Sequence, residues 1–166
     1  MVTDAQNVQN MRKELRQAFG AFATGVTVVT TLTPDGEPIG FTANSFTSVS
    51  LDPPLLLVCI AKSSTNLQSF SHCEHFAINV LSETKKDVSA RFASRVEDRF
   101  ADTLWQRGSA GTPLIDGAVA WFECSTDNLV DAGDHLILIG RVNEFGNSER
   151  RPLAYFRGHY LDLGMA

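Results

Sequence analysis

Gly40-Phe41-Thr42-Ala43-Asn44-Ser45-Phe46-Thr47-Ser48-Val49-Ser50-Leu51-Asp52-Pro53-Pro54, followed at once by the apolar run 55–60 (LLLVCI), decides how this chain reads. Hydroxyl and amide side chains are dense in it, yet strand-forming residues border it on both sides. Such a segment presents a polar surface on a rigid sheet. Alternation would place Thr42, Asn44, Phe46 and Ser48 on one face of a strand, with water as the plain partner for the polar ones. Asn is disfavoured in strands, however, so Asn44 asks for a local reason. A flat, hydrogen-bonding ligand is one such reason.

Working outward, Val8, Met11, Leu15, Ala18, Phe19 and Phe22 recur at three- and four-residue intervals and predict a helix with one buried face. Residues 26–32 are apolar and β-branched, Pro34-Asp35-Gly36 is a turn sequence, and 38–42 is again extended, which predicts a hairpin. Further strands are expected at 55–60, 76–80, 118–129 and 136–145. Short helices are expected at 66–70, capped by Ser64 or Thr65, and at 85–92, capped by Ser82 or Thr84. Many strands, few helices and no strand-helix-strand rhythm exclude a doubly wound sheet and favour a mainly β, closed antiparallel barrel with peripheral helices. Neither Gly-x-Gly-x-x-Gly after a strand nor Gly-x-x-x-x-Gly-Lys-Ser/Thr is present.

The 166 residues fit one domain, 1–166, with a substantial core. A net charge of −5 with no basic stripe argues against nucleic acid. No apolar run reaches membrane-spanning length and no signal-peptide pattern opens the sequence, so no membrane partner and a cytoplasmic location are expected. The three cysteines are an odd number without paired spacing, which disfavours a disulfide framework or a structural zinc. Cys59 and Cys124 read as small buried hydrophobes. Cys73, between His72 and His75, reads as the polar end of a short helix, because no further ligands follow at metal-site spacing, and no metal is expected. Trp105 and Trp121 are assigned to core or interface.

The ligand that best suits the opening stretch is a flavin, whose ring offers carbonyls and nitrogens to Asn and Ser groups while its faces need apolar cover. Thr42, Asn44 and Ser45 are candidates for the isoalloxazine edge. Lys62-Ser63-Ser64-Thr65-Asn66, between a core strand and a short helix, can gather N–H groups, hydroxyls and a cation around a phosphate without a glycine-rich loop; a solvated loop is the alternative. His135, in Ala132-Gly133-Asp134-His135, opens an apolar strand at a turn, where a lone histidine is otherwise structural. Arg157-Gly158-His159-Tyr160 joins cationic and aromatic groups, although an aromatic terminal strand accounts equally well for Tyr155, Phe156 and Tyr160.

Together with the opening stretch, Phe22-Ala23-Thr24-Gly25-Val26-Thr27-Val28-Val29-Thr30, Phe76-Ala77-Ile78-Asn79-Val80-Leu81, Ala90-Arg91-Phe92-Ala93, Gly133-Asp134-His135, Pro152-Leu153-Ala154-Tyr155 and Gly158-His159-Tyr160 follow in order. Over nearly its whole length the chain thus resembles the flavin reductase-like proteins, the reductase partners of two-component flavin-dependent monooxygenases. The resemblance implies a six-stranded antiparallel Greek-key split β-barrel, the FMN-binding split barrel, and a homodimer whose flavin cleft is bordered by both subunits. It implies FMN or FAD held by Pro38, Ile39, Gly40, Phe41 and Thr42 and by backbone of Cys59, Ile60 and Ala61. It also implies contacts from Ser64, Thr65, Asn66, Arg91 and Phe92 toward the phosphate, and NADH or NADPH against His135, Arg157, Gly158, His159 and Tyr160.

On this resemblance His135 positions and polarises the nicotinamide carboxamide, hydride passes from nicotinamide C4 to flavin N5, and loosely held reduced flavin serves a separate monooxygenase. A flavin carrier or electron-transfer protein without NAD(P)H turnover is the alternative. A pyridoxamine-phosphate type of oxidase is disfavoured by the absence of a basic phosphate-binding cluster in a chain with 14 Lys and Arg. Neither FMN against FAD nor NADH against NADPH is distinguished by any spaced motif.

Overall fold

The computed structural model describes residues 4–164; residues 1–3 and 165–166, the ends of the expected domain, lie outside the described residues. In chain order the elements are α1 (Asp4–Phe19), β1 (Thr24–Gly25), β2 (Thr27–Leu32), β3 (Pro38–Ala43), β4 (Thr47–Leu51), β5 (Pro54–Ala61), α2 (Leu67–His72) and β6 (His75–Val80). A 3₁₀ turn, Glu83–Lys85, leads into α3 (Lys86–Ala93), then β7 (Trp105–Arg107), β8 (Pro113–Ile115), β9 (Ala120–Ala132), β10 (His135–Asn147), β11 (Ala154–Phe156) and β12 (His159–Leu161). Seven strands form one antiparallel sheet in the order β3-β2-β6-β9-β10-β5-β4, beside a three-stranded sheet β1-β11-β12 and the pair β7-β8. No helix among the described residues is long and apolar enough to cross a membrane.

The expected hairpin forms, with β2 and β3 in register from Thr27↔Ala43 to Leu32↔Pro38. Its first strand reads as a continuous β-branched run because both of its faces are covered. Val29 joins a core with Val58, Ile60, Phe70, Phe76, Ile78 and Leu138, while Val28 joins a second core with Leu81, Val88, Phe92, Phe100 and Leu153. Strand β5 alternates, turning Leu56, Val58 and Ile60 inward. Strands β9 and β10 are joined by the two-residue turn Gly133-Asp134, which the left-handed φ of 61° at Gly133 allows. Strand β10 then runs along β5 from His135↔Ala61 to Arg141↔Leu55.

Several expectations are corrected. The main sheet has seven strands rather than six, and no backbone ladder joins β3 to β4. Thr42, Asn44, Phe46 and Ser48 do not share one strand: β3 ends at Ala43 and β4 starts at Thr47, so Asn44 occupies a corner where its poor strand propensity carries no penalty. The first helix forms, but its apolar side is not buried within the chain: Met11 is 58% exposed and Phe19 70%. Neither predicted side-chain cap is made. Ser64 Oγ instead accepts the Asn66 amide at 3.2 Å, and Ser82 and Thr84 join their hydroxyls at 3.0 Å.

Cys124 is buried, its thiol pushed up to about 12 by desolvation and by the Glu123 charge, whereas Cys59 is only half-buried. Cys73 follows the last turn of α2, with its thiol raised by burial; no group of three or more potential metal ligands converges among the described residues. Trp105 packs against the second core.

Glu123 on β9 is fully buried and fastens the 108–112 loop between β7 and β8. Its Oε2 accepts the Ser109 amide at 2.8 Å and the Ser109 hydroxyl at 3.0 Å; Oε1 accepts the Ala110 amide at 3.2 Å and the Thr112 hydroxyl at 2.5 Å. Each oxygen therefore receives one backbone N–H, a donor that cannot rotate away. In Glu123→Gln one of those amides must face the new NH₂ group, a buried donor-donor contact that should cost about 1–3 kcal/mol. Urea denaturation measures this directly, and a midpoint within error of the parent would refute the buried-receptor reading.

Candidate functional site

A cleft of about 660 Å³ lies between the start of β3 (Pro38, Ile39, Gly40), the loop Ser63, Ser64, Thr65 and Asn66 after β5, and residues 93–100 after α3. Its walls meet at one atom. The Gly40 carbonyl oxygen accepts the Asn66 side-chain amide at 2.9 Å and the Arg99 Nη1 at 2.9 Å. Position 40 tolerates no side chain, because a Cβ there would lie 2.7 Å from the Val29 carbonyl and 3.0 Å from the Phe92 ring. Phe92 is itself 1% exposed, so it forms the floor beneath Gly40 and not a surface for a ligand.

Further along the same strand is a smaller recess of about 190 Å³, lined by Thr42, Asn44, Ser89, Ala93, Tyr155 and Tyr160 among others. Thr42 donates its hydroxyl to the Ser89 carbonyl at 2.7 Å, and Tyr160 donates to the Ser89 hydroxyl at 2.9 Å. Strand β3 is thereby fixed to α3, and β12 to the same helix. Ser45 turns the other way: its Oγ accepts the Cys59 amide at 2.9 Å, bridging the gap between the corner and β5. Of the three edge candidates, Thr42 and Asn44 share a recess and Ser45 does not line it.

The β10–β5 register sets His135 opposite Ala61, beside the 62–66 loop, whose Lys62 amide donates to the Asp134 carbonyl at 2.9 Å. The His135 ring is half exposed and its Nδ1 lies 2.7 Å from Asp134 Oδ1. Hydrogen bonding from that ring, and then its charge, hold the Asp134 carboxyl below the usual range. With Nδ1 so placed, Nε2 is the nitrogen left for a ligand.

Other expected contacts are placed elsewhere. Lys62 is taken up by Asp131 at 2.7 Å. Arg91 does not line the cleft; its Nη1 lies 3.3 Å from Asp102 without hydrogen-bond geometry and is otherwise buried and unpartnered. Phe41 packs edge-on against Phe70 in the core, and Ile60 is buried, which leaves Ile60 only its backbone to offer. Arg157, at φ 48°, and Gly158 form the turn between β11 and β12. They face a separate hollow with Arg16 and Gly20, while Tyr160 faces the small recess; His159 is exposed. Sequence reasoning missed Ser94, Arg95, Glu97, Asp98 and Arg99, all on the cleft wall. The one signal was the density of charge after a helix end, which also describes a solvated loop.

The family model described as the flavin reductase-like domain matches residues 19–164, and the chain belongs to that family. It is 62% identical over 154 residues to a probable flavin reductase of Rhizobium meliloti, covering 93% of this chain and 50% of that protein. It is 58% identical over 152 residues to the reductase component of a flavin-dependent trigonelline monooxygenase of Acinetobacter baylyi, covering 92% and 49%. The chain thus spans about half the length of these two curated relatives. Among solved structures it superimposes with a TM-score of 0.88, at 40% identity and over 92% of this chain and 93% of the other, on the NADH:FAD oxidoreductase of Streptomyces globisporus in complex with NAD and FAD fragments.

Because Gly40 is pressed between Val29 and Phe92, Gly40→Ala should force β3 or α3 to shift. The expected loss is about 1–3 kcal/mol of stability, the usual scale for overpacking. Thermal and chemical denaturation measure it, and a variant as stable as the parent would show that the close approach relaxes freely.

Proposed function

We propose that this chain is an NAD(P)H:flavin oxidoreductase that reduces FMN or FAD and releases the reduced flavin to a separate monooxygenase component. One observation carries the reading: two openings lie along β3 and the corner after it, a polar one at Gly40 and a small aromatic-walled one at Thr42 and Asn44, with Ala93 common to both. Strand rise is about 3.3 Å per residue, so Gly40 to the end of the strand at Ala43 spans about 10 Å. That suits a molecule with an anionic tail and a flat head lying along β3. The larger opening falls within the volume range of small-molecule sites, and its walls supply the hydroxyls and amides a flavin needs. The activities of the relatives support the same assignment.

Flavin supplies the hydride acceptor at N5, and the dinucleotide supplies the hydride at nicotinamide C4. The chain's own work is positioning and exclusion of water. Backbone of Pro38 to Thr42 lines the ring and its sugar chain, with Cys59 to Ala61 beyond, and Ser64, Thr65 and Asn66 offer donors to the tail. His135, with Nδ1 held by Asp134, presents Nε2 to the carboxamide. His159 and Tyr160, with Arg157 and Gly158, border the dinucleotide.

In this reading the open ladder between β3 and β4 is the split of a Greek-key barrel, flanked by the Ser45 side chain, which ties the corner to β5, and by Asn66, which ties β3 to the loop after β5. A second copy of the chain covers the exposed apolar residues Val8, Met11, Leu15 and Phe19 of α1.

NADH or NADPH oxidation followed with and without FMN, FAD or riboflavin tests the activity. Turnover should rise and saturate with flavin; flavin binding without nucleotide oxidation would replace the enzyme by a carrier. His135→Ala should lower kcat/KM for the dinucleotide about tenfold or more, the scale of one well-placed contact at about 1.4 kcal/mol, while flavin binding stays. Unchanged dinucleotide kinetics would remove His135 from the site. Light scattering should give twice the chain mass, falling toward monomer in Phe19→Asp. A parent that is already monomeric would overturn the pairing.

A further inference from the structure

We propose that Arg99, rather than Arg91 or Lys62, is the cation that recognises the flavin phosphate. The inference rests on the flavin reading above. Arg99 Nε and Nη2 both donate to the Ser94 carbonyl, at 3.1 and 2.6 Å, and Nη1 donates to the Gly40 carbonyl at 2.9 Å. Every one of these acceptors is a neutral backbone oxygen. A guanidinium carries five N–H groups, so two remain, one on each terminal nitrogen.

The charge itself is uncompensated. Among the described residues Lys62 is paired with Asp131 and Arg91 with Asp102, whereas no carboxylate lies in ion-pair range of Arg99; Arg95 on the same wall is also without an ion pair, but it is exposed and no side-chain hydrogen bond fixes it. Its acidic neighbour in the sequence, Asp98, is turned onto the Phe100 and Ala101 amides at 2.8 and 3.1 Å. Glu97 lines the same cleft but makes no ion pair with it. Burial lowers the pKa of Arg99, and no anion opposes that effect. A partly buried cation held only by carbonyls gains more from an incoming anion than one already neutralised.

Position completes the argument. Arg99 and Asn66 donate to the same Gly40 oxygen from opposite walls, so the guanidinium faces the Ser64, Thr65 and Asn66 side of the cleft across one shared acceptor. The two hydrogen bonds from Nε and Nη2 to the Ser94 carbonyl fix the plane of the fork. A planar fork of known orientation is suited to a phosphate, and lysine cannot reproduce it.

The test is equilibrium binding of FMN and of riboflavin, which lacks the phosphate, by flavin fluorescence quenching in the absence of nucleotide. The parent should bind FMN at least tenfold more tightly than riboflavin. Arg99→Gln should erase most of that ratio by weakening FMN alone, and Arg99→Lys should recover only part of it. Equal weakening of both flavins would reduce Arg99 to a loop staple, and no change in either would exclude it; both outcomes overturn the proposal. Should Arg99→Gln fail to fold, inorganic phosphate provides the second measurement. It should compete with FMN but not with riboflavin in the parent and compete more weakly in Arg99→Lys, and failure of either part overturns the proposal. A parent that binds neither flavin would instead refute the flavin reading on which the inference stands.

Discussion

The carbonyl oxygen of Gly40 is the point on which the candidate site depends. Residues 26 and 59 positions away in sequence, Asn66 and Arg99, reach it from two different loops. A hydrogen bond to a charged group contributes about 1.5–3 kcal/mol, against about 1 for a neutral pair, so Arg99 supplies the stronger tether. The convergence needs a bare backbone at position 40. With the Phe92 ring beneath and the Val29 carbonyl beside it, a single methyl group would push β3 away from both donors. Sterics in the core and polar geometry in the cleft are therefore one constraint seen from two sides.

That constraint works only because the neighbouring strands are held rigidly. Strand β2 is buried on both faces and separates the two cores. Asn79 on β6 donates to the Val28 and Pro113 carbonyls and the Thr30 hydroxyl, and accepts the Ile115 amide at 2.8 Å. The short β7–β8 pair is thereby tied to the main sheet as firmly as Glu123 ties the loop between them. On the other side of the sheet, 13-residue strands β9 and β10 carry His135 to the end of β5. The histidine is placed by register, which a one-residue slip would turn to the opposite face.

What was legible in the sequence was local. The 26–42 hairpin could be read because a β-branched run, a Pro-Asp-Gly turn and a second extended run lie within one short window, and β5, β6 and the turn before His135 carried similar signals. The corner at Asn44 was hidden because alternation of polar and apolar residues continues through it, although the backbone does not. Arg91 and Phe92 are adjacent in α3, about 100° apart around the helix, so Phe92 entering the core sends Arg91 away from the cleft. Arg99 was invisible for another reason: its role is set by an acceptor 59 residues distant, and no local pattern encodes that. The helix α1 forms where the periodicity placed it, but the apolar face expected to be buried is exposed in the chain, because periodicity reports amphipathicity and not what covers it.

A cation anchored by carbonyls also bears on how a flavin would leave. If Arg99 were paired with a carboxylate, an incoming phosphate would have to displace that partner, and the charge would gain little. Held as it is, the guanidinium keeps its full charge for the ligand while its orientation is fixed in advance, so little ordering cost falls on binding. Yet the 94–100 segment is hydrogen-bonded to β3 through the Arg99 side chain, and the cleft it borders is open to solvent along Ser63 and Thr65. With a flavin held as proposed, affinity would rest on a phosphate contact at an open rim, where salt and water compete with it. A reductase whose product must reach another protein needs a site of that kind, preorganised for entry and without a buried ion pair to break on exit.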